Sequence, residues 1–242
     1  MVRTASTWQE AEENIVSCTA QILDQAIEIL RSGAIDDASY TFSSRVIAGS
    51  TPGKHFRHVL DHLRILLDSI EAWQIRASGV LRVDYDSRIS SKVAHIETSA
   101  AASLREFERT NSRLHRIFAA SKGELYTQPL RLCATTPFVV EMDSTVGREL
   151  WFCGLHAIHH YALARVMLVQ ERGLEGIDDQ FGVAPSTLVH REWRRESIRA
   201  EPAEDALQVP ATTATPTQRH RQASADQRQH SSPRHASLRS KL

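Results

Sequence analysis

The sequence predicts an all-α fold, an up-down four-helix bundle with a short β-hairpin before its last long helix and a disordered C-terminal tail. Three observations carry this. Four stretches place apolar residues at helical spacing, a single short segment is rich in β-branched and aromatic residues, and the composition turns polar after Arg194. Residues 1–193 are therefore expected to form one helical domain and residues 194–242 a low-complexity tail.

The first helix is expected over about Thr7 to Arg31. Thr7 with Glu10 has the spacing of a capping box, and Ile15, Ile22, Leu23, Ala26, Ile27 and Leu30 trace an apolar stripe to Gly33. Gly33 to Ser50 is largely polar and reads as a loop with a broken turn. Thr51 followed by Pro52 is a strong helix start, with Thr as N-cap and Pro at the first helical position. In the helix that follows, Phe56, Val59, Leu60, Leu63, Leu67 and Ile70 form the core face.

Gly79 to Arg88 reads as a connection, crowded with turn formers and charges. A third helix is expected within Ser91 to Phe118, from Val93, Ile96, Ala100, Leu104, Phe107, Leu114 and Phe118. Leu130 to Met142 carries β-branched and aromatic residues around Thr-Thr-Pro, which predicts a hairpin that Pro137 confines to a sheet edge. Asp143 or Ser144 can cap the fourth helix, and Gly173 ends it. Asp178 to Leu188 has apolar residues without a period and is expected to lie across the helices as a strap. Ala200 to Leu242 offers too little apolar surface to offset its ordering entropy and is expected to be disordered, so His220, His230 and His235 are not counted as ligands.

The chemistry-bearing residues are histidines. Glu149 to Arg172 puts His156, His159 and His160 into an apolar helical pattern, and His156 and His160, four apart, share a face on which two imidazoles can converge on one ion. Two histidines seldom hold a divalent ion tightly, since zinc and its neighbours take three or four ligands. Further candidates lie on the second helix, where His55, His58 and His62 stand at i, i+3 and i+7. The residues alone leave all three open, and they leave open the competing reading of His156 and His160 as hydrogen-bonded core histidines. His159 points away from His156 and is expected to pack against Arg148 to Phe152 or to support the ligands from outside. No Glu-x-x-His occurs, which disfavours a di-iron carboxylate centre.

Composition sets outer bounds. With 29 acidic and 29 basic residues there is no net field to steer nucleic acid, and no nucleic-acid partner is expected. Cys18, Cys133 and Cys153 are odd in number and show no CxxC spacing, against a disulfide framework or a cysteine zinc site. No apolar run approaches the roughly 20 residues of a membrane span, and Met1 to Gln9 lacks the regions of a signal peptide. A cytoplasmic protein without a membrane partner is the expectation.

The segments GKHFRHVLDHL (Gly53 to Leu63) and LHAIHHYAL (Leu155 to Leu163) together resemble the DinB/YfiT-like family of four-helix metal-binding proteins. The resemblance spans about Thr7 to Val189, and VDYD (Val83 to Asp86) and FGVAPSTL (Phe181 to Leu188) are similar to one subgroup. It implies a divalent metal, zinc or nickel, held by His58, His156 and His160, with His62 as the rival to His58 and His55 behind it. The Arg-Gly-Gln that follows the last ligand in many members is replaced by Tyr161, Ala162 and Leu163.

Three neutral imidazoles leave a divalent ion an open position for water or thiolate. The resemblance accordingly implies a metal-dependent thiol transferase or hydrolase acting on a small molecule such as a low-molecular-weight thiol, with a homodimer left open. The competing class is a metal-stabilised bundle serving binding or assembly. Asp61, Asp84 and Asp86 are the candidate acid-base partners, against a surface role for each. Cys153, one turn before His156, reads as a small buried core residue.

Overall fold

The computed structural model describes residues 5–86, 95–135, 137–184 and 187. The chain is mostly helical, with four long helices, two short ones and a small three-stranded sheet among these residues. Helix α1 spans Trp8–Arg31, α2 Asp37–Tyr40, α3 Pro52–Arg76, α4 Ala100–Phe118, α5 Glu124–Thr127 and α6 Val146–Arg165. Strands β1, β2 and β3 are Leu81–Asp84, Pro129–Ala134 and Val140–Thr145.

Each long helix starts on a hydroxyl side chain that accepts a backbone N–H of its own first turn. The acceptors are Thr7 for α1, Thr51 for α3, Ser99 for α4 and Thr145 for α6. The cap of α6 thus falls on Thr145, the last residue of β3, one or two residues after the expected Asp143 or Ser144; the Ser144 hydroxyl is turned to Glu149 Oε1 instead. After Arg165 the helix widens into a π-helical turn, Val166–Glu171, and Gly173 follows at φ +74°.

Helix α1 packs chiefly against α4 and α6, and α3 against the same two. The core runs between them through Leu23, Ala26, Phe56, Leu60, Leu63, Leu67, Phe107, Leu114, Leu150 and Tyr161. No helix among the described residues is long and apolar enough to cross a membrane.

Two expectations are corrected. The polar stretch after Gly33 contains a helical turn, α2, capped by Asp36, whose carboxylate accepts Ser39 N–H at 2.7 Å. Gly79 to Arg88 is more than a connection, since β1 lies within it and pairs in parallel with β2, while β2 and β3 form the expected antiparallel hairpin. Leu81 and Val83 point inward and Arg82 outward. Two inward positions are too few to reveal a period of two in the sequence.

The third long helix begins at Ala100, since Ser99 caps there. Of the expected strap, Phe181 is buried against Tyr161 and Phe56, and Gly182 N–H donates to Gln25 Oε1 at 3.1 Å. Residues 185, 186 and 188 of the strap, residues 91–94 and the tail from 194 onward lie outside the described residues.

Candidate metal centre

Helices α3 and α6 face each other, and their shared surface gathers five histidines. On α3, His55, His58 and His62 follow one side of the helix; on α6, His156 and His160 stand one turn apart. The start of α3 is fixed by close packing at Gly53, where a Cβ would lie 2.1 Å from the carbonyl oxygen of Glu97. His55, two residues on, is set in place by that approach.

His156 Nε2 and His160 Nε2 are 3.2 Å apart. Two nitrogens on a tetrahedral ion, each about 2.0–2.1 Å from it, stand about 3.3–3.4 Å apart, so the pair is already spaced for shared ligation. The ring of His58 lies 4.4 Å from that of His160 and 5.0 Å from that of His156, centroid to centroid. His62 is close as well, 4.4 Å from His58 and 4.3 Å from His156. One ring nitrogen each from His58, His62 and His156 fall within 4.8 Å of one another. The nitrogens grouped this way are those of His58, His62 and His156, so His62 takes a place expected for His160, which stands beside the group through its 3.2 Å approach to His156 and its ring next to that of His58.

Hydrogen bonds decide which nitrogens are available. His62 Nδ1 lies 3.0 Å from the carbonyl oxygen of His58. A carbonyl only accepts, so Nδ1 carries the proton and donates, leaving the Nε2 lone pair of His62 free. His160 Nδ1 meets His55 Nδ1 at 2.7 Å, and His55 Nε2 lies 2.8 Å from Ser50 Oγ.

The rings are held neutral. Burial, reinforced by the neighbouring histidines, lowers His58 and His156 from 6.5 to about 4 and His160 to about 2. Burial lowers His55 and His62 also. Neutral imidazole is the form that binds metal. His55 and His62 are buried, whereas His58 is desolvated on its cluster side and keeps the rest of its surface in solvent, so the cluster opens to solvent beside His58. The donor set, all nitrogen and all neutral, fits a divalent ion of the zinc, nickel, copper and iron group.

Aromatic rings wall the cluster. Tyr85, just after β1, stacks on His62 with centroids 5.0 Å apart and planes 13° apart, and Phe152 stacks on His156. The Tyr85 hydroxyl is 3.6 Å from Cys153 Sγ. Burial pushes the Cys153 thiol up to about 12, so it remains protonated at neutral pH. Glu149 is fully buried and its Oε1 accepts from Ser144 Oγ at 2.6 Å and from Arg148 Nη1 at 2.9 Å.

The candidate carboxylates hold hydrogen bonds and ion pairs of their own, and the charges of Asp61 and Asp86 also act on His62. Asp61 pairs with Arg57 at 3.1 Å, Asp84 Oδ1 accepts Asp86 N–H at 2.9 Å, and Asp86 Oδ2 accepts Thr135 N–H at 2.7 Å. His159 is exposed, its ring 5.3 Å from that of His160 and 6.4 Å from that of His156. A separate cleft of about 370 Å³ between α1 and α4, lined in part by Glu12, Glu13, His115 and Lys122, involves none of these five histidines.

Tyr85 and Ser50 are the site residues that sequence reasoning missed. Neither lies on a periodic element. Their sequence signals are indirect: Tyr85 lies inside the VDYD segment, whose aspartates alone stand out as acid-base candidates, and Ser50 directly precedes the Thr51-Pro52 helix start.

No protein-family model matches the chain, and no solved structure matches it. A stretch of 50 residues is 48% identical to part of FK506-binding protein 5 of Rhizopus delemar, spanning 21% of this chain and 12% of that protein. So short an overlap carries neither a fold nor an activity over to this chain.

Proposed function

We propose that the protein is an up-down four-helix bundle of DinB/YfiT-like type that binds one divalent ion, zinc or nickel, through His58, His156 and His160. We further propose that it uses an open coordination position for metal-dependent chemistry on a small substrate, as a thiol transferase or hydrolase. The observation that carries the reading is the 3.2 Å separation of His156 Nε2 and His160 Nε2, with the His58 ring 4.4 Å from that of His160. When bound, the ion would lower the pKa of a coordinated thiol or water and polarise a substrate oxygen.

The protein's own contribution is charge and access. The clustered imidazoles are neutral and, among the described residues, the grouped ligand atoms are all ring nitrogens, so a bound divalent ion would keep its charge in the first coordination sphere and favour an anionic ligand such as a low-molecular-weight thiolate. The exposed edge at His58 is the route by which such a ligand enters. Tyr85 and Phe152 exclude water from the flanks.

One observation favours the second reading, a non-catalytic metal-stabilised bundle for binding or assembly. His62 presents a free Nε2 beside His58 and His156, and a fourth imidazole would close a tetrahedral zinc site, as structural sites are closed.

Metal analysis of protein purified without a histidine tag, followed by X-ray absorption to count imidazoles and a thiol-substrate screen, tests both readings. Three imidazoles with exchangeable solvent and chelator-sensitive turnover support the enzyme. Four imidazoles without turnover, and loss of fold on chelation, support the assembly module. Protein that takes up neither zinc nor nickel refutes the proposed zinc or nickel centre.

A further inference from the structure

From the hydrogen-bond chain behind the centre we infer that His55 is a positioning residue, which holds His160 in the tautomer that ligates through Nε2 and is itself held by Ser50. The inference rests on the metal reading above and extends it to residues that do not touch the ion.

The directions of the bonds follow from donor counting. A neutral imidazole has one N–H and one lone pair. If His160 gives its Nε2 lone pair to a metal, its proton must reside on Nδ1. That nitrogen lies 2.7 Å from His55 Nδ1, which must then accept. Accepting at Nδ1 leaves the His55 proton on Nε2, 2.8 Å from Ser50 Oγ, which accepts in turn. One direction of donation therefore satisfies every atom from His160 to Ser50.

Metal-binding histidines commonly donate their second N–H to a carboxylate or carbonyl, which fixes the tautomer and ring orientation. His55 occupies that place as a neutral acceptor. The chain is anchored at its far end as well. Ser50 N–H donates to the Ile47 carbonyl at 3.1 Å, and the Ser50 carbonyl accepts Ser44 N–H at 2.9 Å. Lys54 Nζ closes the same loop on the Gly49 carbonyl at 2.6 Å. His55 is buried, so water does not readily replace it as the acceptor.

The test is metal affinity of full-length His55→Ala and His55→Asn, measured by titration with zinc alone and with nickel alone. Asn places an amide oxygen close to where His55 has Nδ1, keeping the acceptor and losing the ring. Expected results are one ion per chain in both variants, affinity lowered about 10–100-fold in His55→Ala, and recovery of most of that loss in His55→Asn. In the zinc-loaded parent, nitrogen-15 NMR should show the His160 proton on Nδ1.

Parent affinity in His55→Ala overturns the role, as does a His160 proton on Nε2 in the loaded protein. Loss of one metal-bound imidazole in His55→Ala also overturns it, by making His55 a ligand. If His55→Ala fails to fold, His55→Asn and the parent NMR measurement keep the test open: a His160 proton on Nε2, or a loss of affinity in a folded His55→Asn as large as that expected for His55→Ala, overturns the role. A parent that binds neither ion fails the metal reading itself, a result distinct from all of these.

Discussion

Tyr85 lies nearly flat on His62, with ring centroids 5.0 Å apart and planes 13° apart, so the small sheet closes one side of a histidine cluster built by helices. The contact joins the residue after β1 to the middle of α3. It makes the sheet part of the centre's wall.

Replacing Tyr85 tests that wall. Tyr85→Ala should lower unfolding free energy by about 1–3 kcal/mol, in the range of ordinary buried-contact losses, whereas Tyr85→Phe should stay near the parent because it keeps the stacking face. Urea denaturation of the metal-free protein reads the difference. Equal losses in the two variants would shift the weight from the ring to the hydroxyl near Cys153.

Single histidine replacements separate the two possible ligand triads. His58→Ala and His156→Ala should each abolish tight binding, since both triads use them. His160→Ala should do the same if the proposed triad holds, with His62→Ala retaining one ion; the opposite pattern would assign the ion to His58, His62 and His156. His159→Ala should leave stoichiometry unchanged, as its ring is exposed. Metal content after gel filtration checks all five.

The depressed histidines make the metal-free fold acid-sensitive. His58 and His156 titrate near 4 in the folded chain and near 6.5 when unperturbed, so between these values the unfolded chain binds more protons. Stability is then fully present above about pH 6.5 and falls as the pH drops toward 4. Thermal unfolding of apo protein across this range should show a falling midpoint, with a shallower fall in His156→Ala. A flat profile would contradict neutral burial of these rings.

Gly53→Ala should weaken both fold and site. Its Cβ would meet the Glu97 carbonyl oxygen at 2.1 Å and the Tyr40 ring at 2.8 Å, so the first turn of α3 must shift. Overpacking of this kind costs about 1–3 kcal/mol. Because His55 follows two residues later, zinc affinity should fall alongside the melting temperature. A variant that lost stability while binding zinc as the parent does would uncouple the helix start from the centre.

Cys153 should be the least reactive of the three thiols. Burial pushes it up to about 12, whereas Cys133 is only half-buried. Thiol modification under native conditions, followed by mass spectrometry, should label Cys133 well before Cys153. Rapid labelling of Cys153 would show that the space beside Tyr85 opens to solvent.

The sequence by itself determined the local elements and the residue types of the centre. Thr51-Pro52 predicts the start of α3, and the apolar spacing predicts its core face, because caps and helical periods are written in neighbouring residues. The i, i+4 relation of His156 and His160 is likewise local and was legible before any fold was known. Tertiary structure decided what distant segments do to one another. That β1 pairs in parallel with β2, that Tyr85 covers His62, and that His55 meets His160 across 105 residues are all long-range contacts. The spacing of His55, His58 and His62 on one helix could not rank them. Only the depth and rotation at which α3 packs on α6 gives one ring nitrogen a neighbour on another helix and leaves the next lone pair free.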